Sequence, residues 1–178
     1  MQSIHETLTQ YAAYHRDRRN LATHFIGIPM IVFSVVLALN AVSFPLGSTT
    51  VPLAVVLTAA AIVYYVALDA MLGITMAAIL LLMCAGASEI AARTSTLGLL
   101  GWAAAIFVAG WVLQFWGHHF EGTKPAFIDD AKQLLIGPLF VLAEAFFFFG
   151  AKPELRRYIE DRVGPTVARR DDGTSPTA

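Results

Sequence analysis

LGLLGWAAAIFVAGWVLQFWGHHFEGTKPAF, residues 97 to 127, decides what kind of molecule this is. A helix needs roughly 20 predominantly apolar residues to cross the hydrocarbon core of a bilayer, and residues 97–116 supply them without one charge. The run then meets Gln114, two adjacent histidines (His118 and His119) and Glu121, before Gly122 and Pro125 stop it. Taken alone, this end is either an ordinary polar exit from a membrane or one half of a metal site.

The rest of the chain repeats the apolar half of that pattern. Residues 25–44, 51–68 and 70–88 are three further apolar stretches; the first two are joined by the uncharged PLGSTT and the last two are separated by Asp69. No alternating strand pattern and no internal repeat competes with helices. The composition is 57% hydrophobic and 14% charged, with mean hydropathy +0.63. A soluble domain carries about 25% charged residues, so the chain lacks the polar surface to cover a water-facing globule. The sequence predicts an all-α, polytopic membrane helix bundle with about four transmembrane helices. A single membrane domain over 1–168 would begin with an interfacial segment, 1–19, and be followed by a disordered polar tail at 169–178. The N-terminus has no signal-peptide pattern and reads as mature protein. The net charge of −1 offers no basic excess to neutralise phosphates, which argues against nucleic acid as a partner. The lone Cys84 excludes an internal disulfide.

A fifth apolar run, residues 134–150, is interrupted by Gly137-Pro138 and carries Glu144. Arg16, Arg18 and Arg19 before the first span place the N-terminus in the cytoplasm. Four crossings return the chain to that face at His118, where Lys124 and Lys132 agree. A fifth crossing would export Lys152, Arg156, Arg157 and Arg162, so the run reads as a re-entrant or interfacial hairpin broken at Gly137-Pro138, with a true fifth helix as the alternative. Asp69 reads as a tight turn on the cytoplasmic side, and Glu89 and Arg93 as a pair across one helical turn on the other. Trp102, Trp111 and Trp116 read as interface anchors. Glu144, costly in an apolar run unless paired or wet, would pair with Lys132 or Arg157, orient a histidine, or touch substrate.

This topology gathers His5, His15, His24, His118 and His119 on the cytoplasmic face. Gln114, His118 and Glu121 share one helix face at i, i+4 and i+7, and His118 and Glu121 are spaced so that imidazole and carboxylate can converge on one cation; His119 is rotated about 100° away. His15 and His24 are nine residues apart, about half a turn out of phase on a straight helix. A bend at the charged RDRR run, with Asn20 capping the first span and residues 4–15 forming an interfacial helix, would turn His15 back towards His24. Histidines and a carboxylate with open positions suit non-haem Fe(II), and zinc equally.

With these residues assembled, the chain resembles the 2-hydroxy fatty acid dioxygenases from Tyr14 to about Glu144. The carrying motifs are Tyr14-His15, Asn20, HFIGIP from His24 to Pro29, QFWGHHFEGTKPAFIDD from Gln114 to Asp130, and LLIGPLF from Leu134. The resemblance implies an Fe(II) enzyme of the membrane that uses O₂ in α-oxidation, converting a long-chain 2-hydroxy fatty acid to the acid one carbon shorter. It implies His15, His24 and His118 as iron ligands. Glu121 is a fourth candidate, although it stands one residue closer to the Gly-His than in the eukaryotic members, which leaves open a role in orienting a ligand. His119, at a position that varies, would be an extra ligand or a bystander. Lys124, Arg16 or Arg19 would hold the substrate carboxylate electrostatically, with Asn20 and Glu144 also near substrate. The membrane implied is the bacterial inner membrane in a prokaryote and the endoplasmic reticulum in a eukaryote. The residues by themselves also admit another membrane metalloprotein, such as a zinc hydrolase or a bis-histidine haem carrier, and a non-catalytic membrane protein or transporter.

Overall fold

The structure, a computed structural model, describes residues 3–128 and 130–167; the tail expected to be disordered at 169–178 lies outside the described residues. Among the described residues, seven α-helices and one short hairpin form an all-α membrane bundle: α1 (Ile4–Ala12), α2 (Arg18–Leu39), β1 (Ser43–Leu46), β2 (Thr49–Pro52), α3 (Leu53–Leu68), α4 (Ala70–Arg93), α5 (Thr96–Glu121), α6 (Gln133–Phe148) and α7 (Pro153–Val163). Helices α2, α4 and α5 are long and apolar enough to cross a membrane, α6 and α7 pass the same test only together as a bent pair, and α3 is a shorter apolar helix of 16 residues. Much of the outer surface is apolar, with Leu82, Leu97 and Val63 largely exposed, as expected where lipid rather than water surrounds the bundle.

The link between the first two apolar stretches is a β-hairpin, not the plain loop that the absence of a strand pattern implied. Gly47 adopts φ 60° at the first position of a two-residue turn, and Leu46 pairs with Thr49 across it. A positive φ there matches the twist of flanking strands, and Thr49, Thr50 and Val51 are β-branched. Four residues a side are too few for alternation to register.

At the opposite end, α1 starts with a reciprocal cap: Ser3 Oγ accepts from the Glu6 N–H, and the Glu6 carboxylate accepts from the Ser3 N–H. Its apolar face buries Leu8, Tyr11 and Ala12 against α6 and α7. The chain then bends at residues 13–17, as the RDRR run suggested, although the helix ends at Ala12 rather than His15. The cap of α2 is Asp17, whose carboxylate accepts from the Arg19 N–H at 2.8 Å. Asn20, expected to be that cap, lies inside the helix with a side chain engaged elsewhere.

Helices α2 and α5 cross closely where the start of one meets the end of the other. Any Cβ at Gly117 would collide with the side chains of Asn20 and Thr23, so α5 is notched there to let α2 approach. This contact sets His24, in the second turn of α2, opposite His118 near the end of α5.

The expected break at Gly137-Pro138 does not occur. Helix α6 runs unbroken through Pro138, and Gly137 is the recess that receives the hydroxyl end of the Tyr11 ring. Proline's fixed φ suits a helix, and burial of Ile136, Leu139 and Phe140 outweighs the one lost hydrogen bond. The break falls instead between Phe148 and Pro153, where α7 turns away by 111° and Gly150 and Lys152 take positive φ. The start of α6 and the turn that follows it are tied to the same end of α3: Tyr65 Oη donates to the Leu135 carbonyl at 2.8 Å, and Lys152 Nζ to Asp69 at 2.6 Å. Helix α6 therefore lies across that end of the bundle. Asp69 makes the expected tight turn and caps α4 through the Leu72 N–H.

Candidate metal centre

Three histidines from three separate pieces of chain meet beneath α6. His15 comes from the bend after α1, His24 from the first turns of α2, and His118 from the last turn of α5. All are buried, and one ring nitrogen of each lies within 4.8 Å of the others. The rings meet edge to face, with centroids 4.6 Å apart for His15 and His24, 4.9 Å for His15 and His118, and 5.1 Å for His24 and His118. Among the described residues, no other cluster of histidine, cysteine, aspartate or glutamate offers ligands in this way.

Hydrogen bonding fixes what two of these rings present to each other. His15 Nδ1 donates to the Tyr11 carbonyl at 2.7 Å, and His24 Nδ1 donates to the Asn20 carbonyl at 2.9 Å. A carbonyl only accepts, so both protons sit on Nδ1 and both Nε2 atoms carry lone pairs. Those two lone pairs face each other at 3.1 Å. Burial first, and then the neighbouring His24 ring, push the His15 imidazole well below its ordinary pKa, which keeps it neutral. Two facing lone pairs repel unless a cation lies between them. His118 Nδ1, in turn, is buried with no hydrogen-bond partner. A backbone carbonyl on the far nitrogen is the usual way a ligating imidazole is oriented, and a neutral imidazole set suits a borderline transition metal. The residues present fit such an ion.

The bend carrying His15 is held from several sides. Tyr11 stacks flat on the His15 ring, centroids 4.2 Å apart. The Glu121 carboxylate accepts from the Arg16 N–H at 2.9 Å, the Asp17 N–H at 2.8 Å and Asn20 Nδ2 at 2.9 Å. Arg16 Nε donates to the carbonyls of Ala12 and His15, one terminal nitrogen to Gly164, and the other to Glu144 at 3.3 Å. Beyond α7 the chain returns as a single bridge: Val167 N–H donates to the Arg16 carbonyl and accepts, through its own carbonyl, from the Arg18 N–H.

Several expected site residues therefore take other places. Glu121 stays one helical turn from the triad, its oxygens turned to the bend rather than towards a shared cation, because the bend's amides crowd the end of α5. His119 is exposed, about 100° around α5 from His118. Glu144 pairs with Arg16, not with Lys132 or Arg157. Arg19 closes on Asp17 and lies over the Phe120 ring, and Lys124 is exposed. Asn20 serves Glu121. None of these six residues, nor Arg16, is among the described residues that line the cavity at the histidines.

That cavity, about 60 Å³, is walled by the three histidines with Tyr11, Trp111, Gln114, Phe127 and Gln133. It shares Ile28, Val32 and Pro138 with an almost wholly apolar groove of about 200 Å³ between α2, α4 and α6. Gln133 and the inward position of Trp111 escaped the sequence reading. A glutamine opening an apolar run was the only signal of the first, and Trp111 differs from the exposed Trp102 and Trp116 in being half-buried against Phe127 at the cavity wall.

A buried trio of imidazoles at one end of a helical membrane bundle, open to a small cavity with a few polar side chains and to an apolar groove, defines a membrane protein with a candidate metal centre. The family profile "2-hydroxy-palmitic acid dioxygenase Mpo1-like" matches residues 1–148. Among curated proteins, the 2-hydroxy-palmitic acid dioxygenase MPO1 of Saccharomyces cerevisiae is 30% identical over 152 residues, 84% of this chain and 83% of that protein. The chain belongs to the Mpo1-like family. No solved structure matches it.

Proposed function

We propose that the protein is a membrane-embedded 2-hydroxy fatty acid dioxygenase that holds Fe(II) on His15, His24 and His118 and uses O₂ to shorten its substrate by one carbon. The observation that carries this reading is the pair of Nε2 lone pairs facing each other beside the orphaned His118 nitrogen, in a chain of this family. Fe(II) on such a set supplies a place to bind and activate O₂ next to the substrate's hydroxyl and carboxyl oxygens.

The chain's own residues account for the rest. Tyr11 and the Tyr11 and Asn20 carbonyls hold the two imidazoles in the tautomer that leaves Nε2 free. Glu121 anchors the bend through which His15 arrives. The apolar groove lined by Phe25, Met76, Leu80, Met83 and Leu142 gives an acyl chain a lipid-like path to the cavity, and the narrow cavity keeps bulk water from the reacting end. The triad lies on the cytoplasmic face, on the positive-inside argument from Arg16, Arg18 and Arg19.

The test is anaerobic purification followed by metal analysis and oxygen uptake with added 2-hydroxyhexadecanoate. Expected are bound iron, substrate-dependent oxygen consumption and pentadecanoate as product. Stoichiometric zinc with no oxygen uptake would overturn the reading.

A further inference from the structure

Three polar atoms beside the histidines have nothing to bond. Trp111 Nε1, Gln114 Nε2 and Gln133 Oε1 are each buried without a hydrogen-bond partner, and all three side chains line the cavity next to the triad. Buried polar groups are satisfied in the great majority of cases, and an orphan weakens the fold. Three in one small cavity indicate a ligand that satisfies them.

Their arrangement carries chemical information. Trp111 and Gln114 are i, i+3 on α5, two turns and one turn before His118, and both orphaned atoms are N–H donors. Gln133 opens α6 across the cavity, and its orphaned atom is an acceptor. Helix α2 is shaped around this set: any Cβ at Gly27 would collide with Gln114 Nε2. Among the described lining residues there is no arginine, lysine or carboxylate. The expected cation, Arg16, is committed to Ala12, His15, Gly164 and Glu144.

A 2-hydroxy acid offers the complement: a carboxylate that accepts and a hydroxyl that donates. We infer that Trp111 and Gln114 donate to the carboxylate, and that Gln133 accepts from the 2-hydroxyl and so selects hydroxylated over unhydroxylated acids. This assignment rests on the proposed function and names the residues that recognise its substrate. A site built to hydrogen-bond a hydroxyl rejects the analogue lacking it, because its own polar atom is then left unpaired.

The experiment measures equilibrium binding of radiolabelled 2-hydroxyhexadecanoate and hexadecanoate to the full chain in lipid nanodiscs. It is done without oxygen, alongside thermal unfolding and wild-type product formation in air. The wild type binds the hydroxylated acid more tightly by about tenfold, the scale of one hydrogen bond to a buried partner. Gln133→Leu brings that preference to about twofold or less, the loss of the same bond. Gln114→Leu weakens both acids by about tenfold, as loss of a donor to a charged group should. Both leucine variants unfold at the wild-type temperature or above it, because an apolar side chain replaces an orphaned amide; a merely structural amide would show the reverse. If a leucine variant does not accumulate, Gln114→Glu keeps the shape and must still lose affinity for both acids by charge repulsion. An intact preference in Gln133→Leu, or unchanged affinity with lowered unfolding temperature in either leucine variant, overturns the assignment. Should the wild type bind and shorten the hydroxylated acid while the variants keep its preference, only this assignment falls. If the wild type does neither, the proposed function falls with it.

Discussion

The two ends of the bundle differ in how their polar groups are joined. At the far end, the β1–β2 hairpin and the α4–α5 turn are largely exposed, and Glu89 with Arg93 forms a solvated pair within one helix. The polar tie there between distant segments runs from Ser88 to Asn40. At the histidine end, Glu121 reaches Arg16 and Asp17 across more than 100 residues, and Arg16 reaches Glu144 and Gly164. Both ends look alike in sequence, as short polar breaks between apolar runs. One merely turns the chain around; the other fixes three imidazoles in place against their mutual repulsion. Long-range hydrogen bonds, not polarity, mark the histidine end.

The contrast breaks most sharply at adjacent histidines. His24→Ala or His118→Ala should lower bound metal and product formation by more than about 100-fold, beyond the cost of losing an orienting group. His119→Ala should change neither by more than about twofold, since an exposed interfacial ring touches none of the triad. Metal analysis and product assays on the same preparations compare them directly, and iron loss in His119→Ala would erase the distinction.

Glu121→Ala attacks the ties rather than the ligands. Three buried donors lose their acceptor, for an expected cost of about 3–5 kcal/mol in unfolding free energy. Glu121→Gln keeps the length but not the charge and should weaken metal binding by about 10–100-fold. Unchanged metal affinity in the glutamine variant would show that His15 does not depend on this anchor.

Gly117→Ala tests the helix crossing. Its methyl group collides with Asn20 and Thr23, so about 1–3 kcal/mol of stability should be lost by overpacking, read from thermal unfolding in nanodiscs. At the far end, Glu89→Ala should cost less than about 0.5 kcal/mol and leave activity alone, because the pair it breaks is exposed. A larger loss there would mean that the far end is not the passive one.

Legibility in the sequence followed the range of the forces involved. The apolar runs announced α2 to α5 because membrane burial is set by local composition, and only boundaries moved: α2 begins at Arg18 and α3 is short. The half-turn mismatch between His15 and His24 correctly required a bend, which the structure has at residues 13–17. The bonds of Glu121 to the bend were not legible, because an i, i+3 spacing says two side chains can converge, not what else competes for one of them. Gly137-Pro138 looked like a break because both residues weaken an isolated helix; the recess that Gly137 makes for Tyr11 is visible only once α1 has packed on α6.

The sequence by itself determined the membrane bundle, the family motifs and the gathering of His15, His24 and His118 at one end, because hydropathy and charge bias act residue by residue along the chain. The tertiary structure alone decided which polar groups face one another. It turned Glu121 to the bend, gave Glu144 to Arg16, left His119 outside, and set Trp111, Gln114 and Gln133 around a cavity where their hydrogen bonds are unmade. Those pairings depend on side chains more than a hundred residues apart arriving within about 3 Å of each other, and no local pattern encodes that.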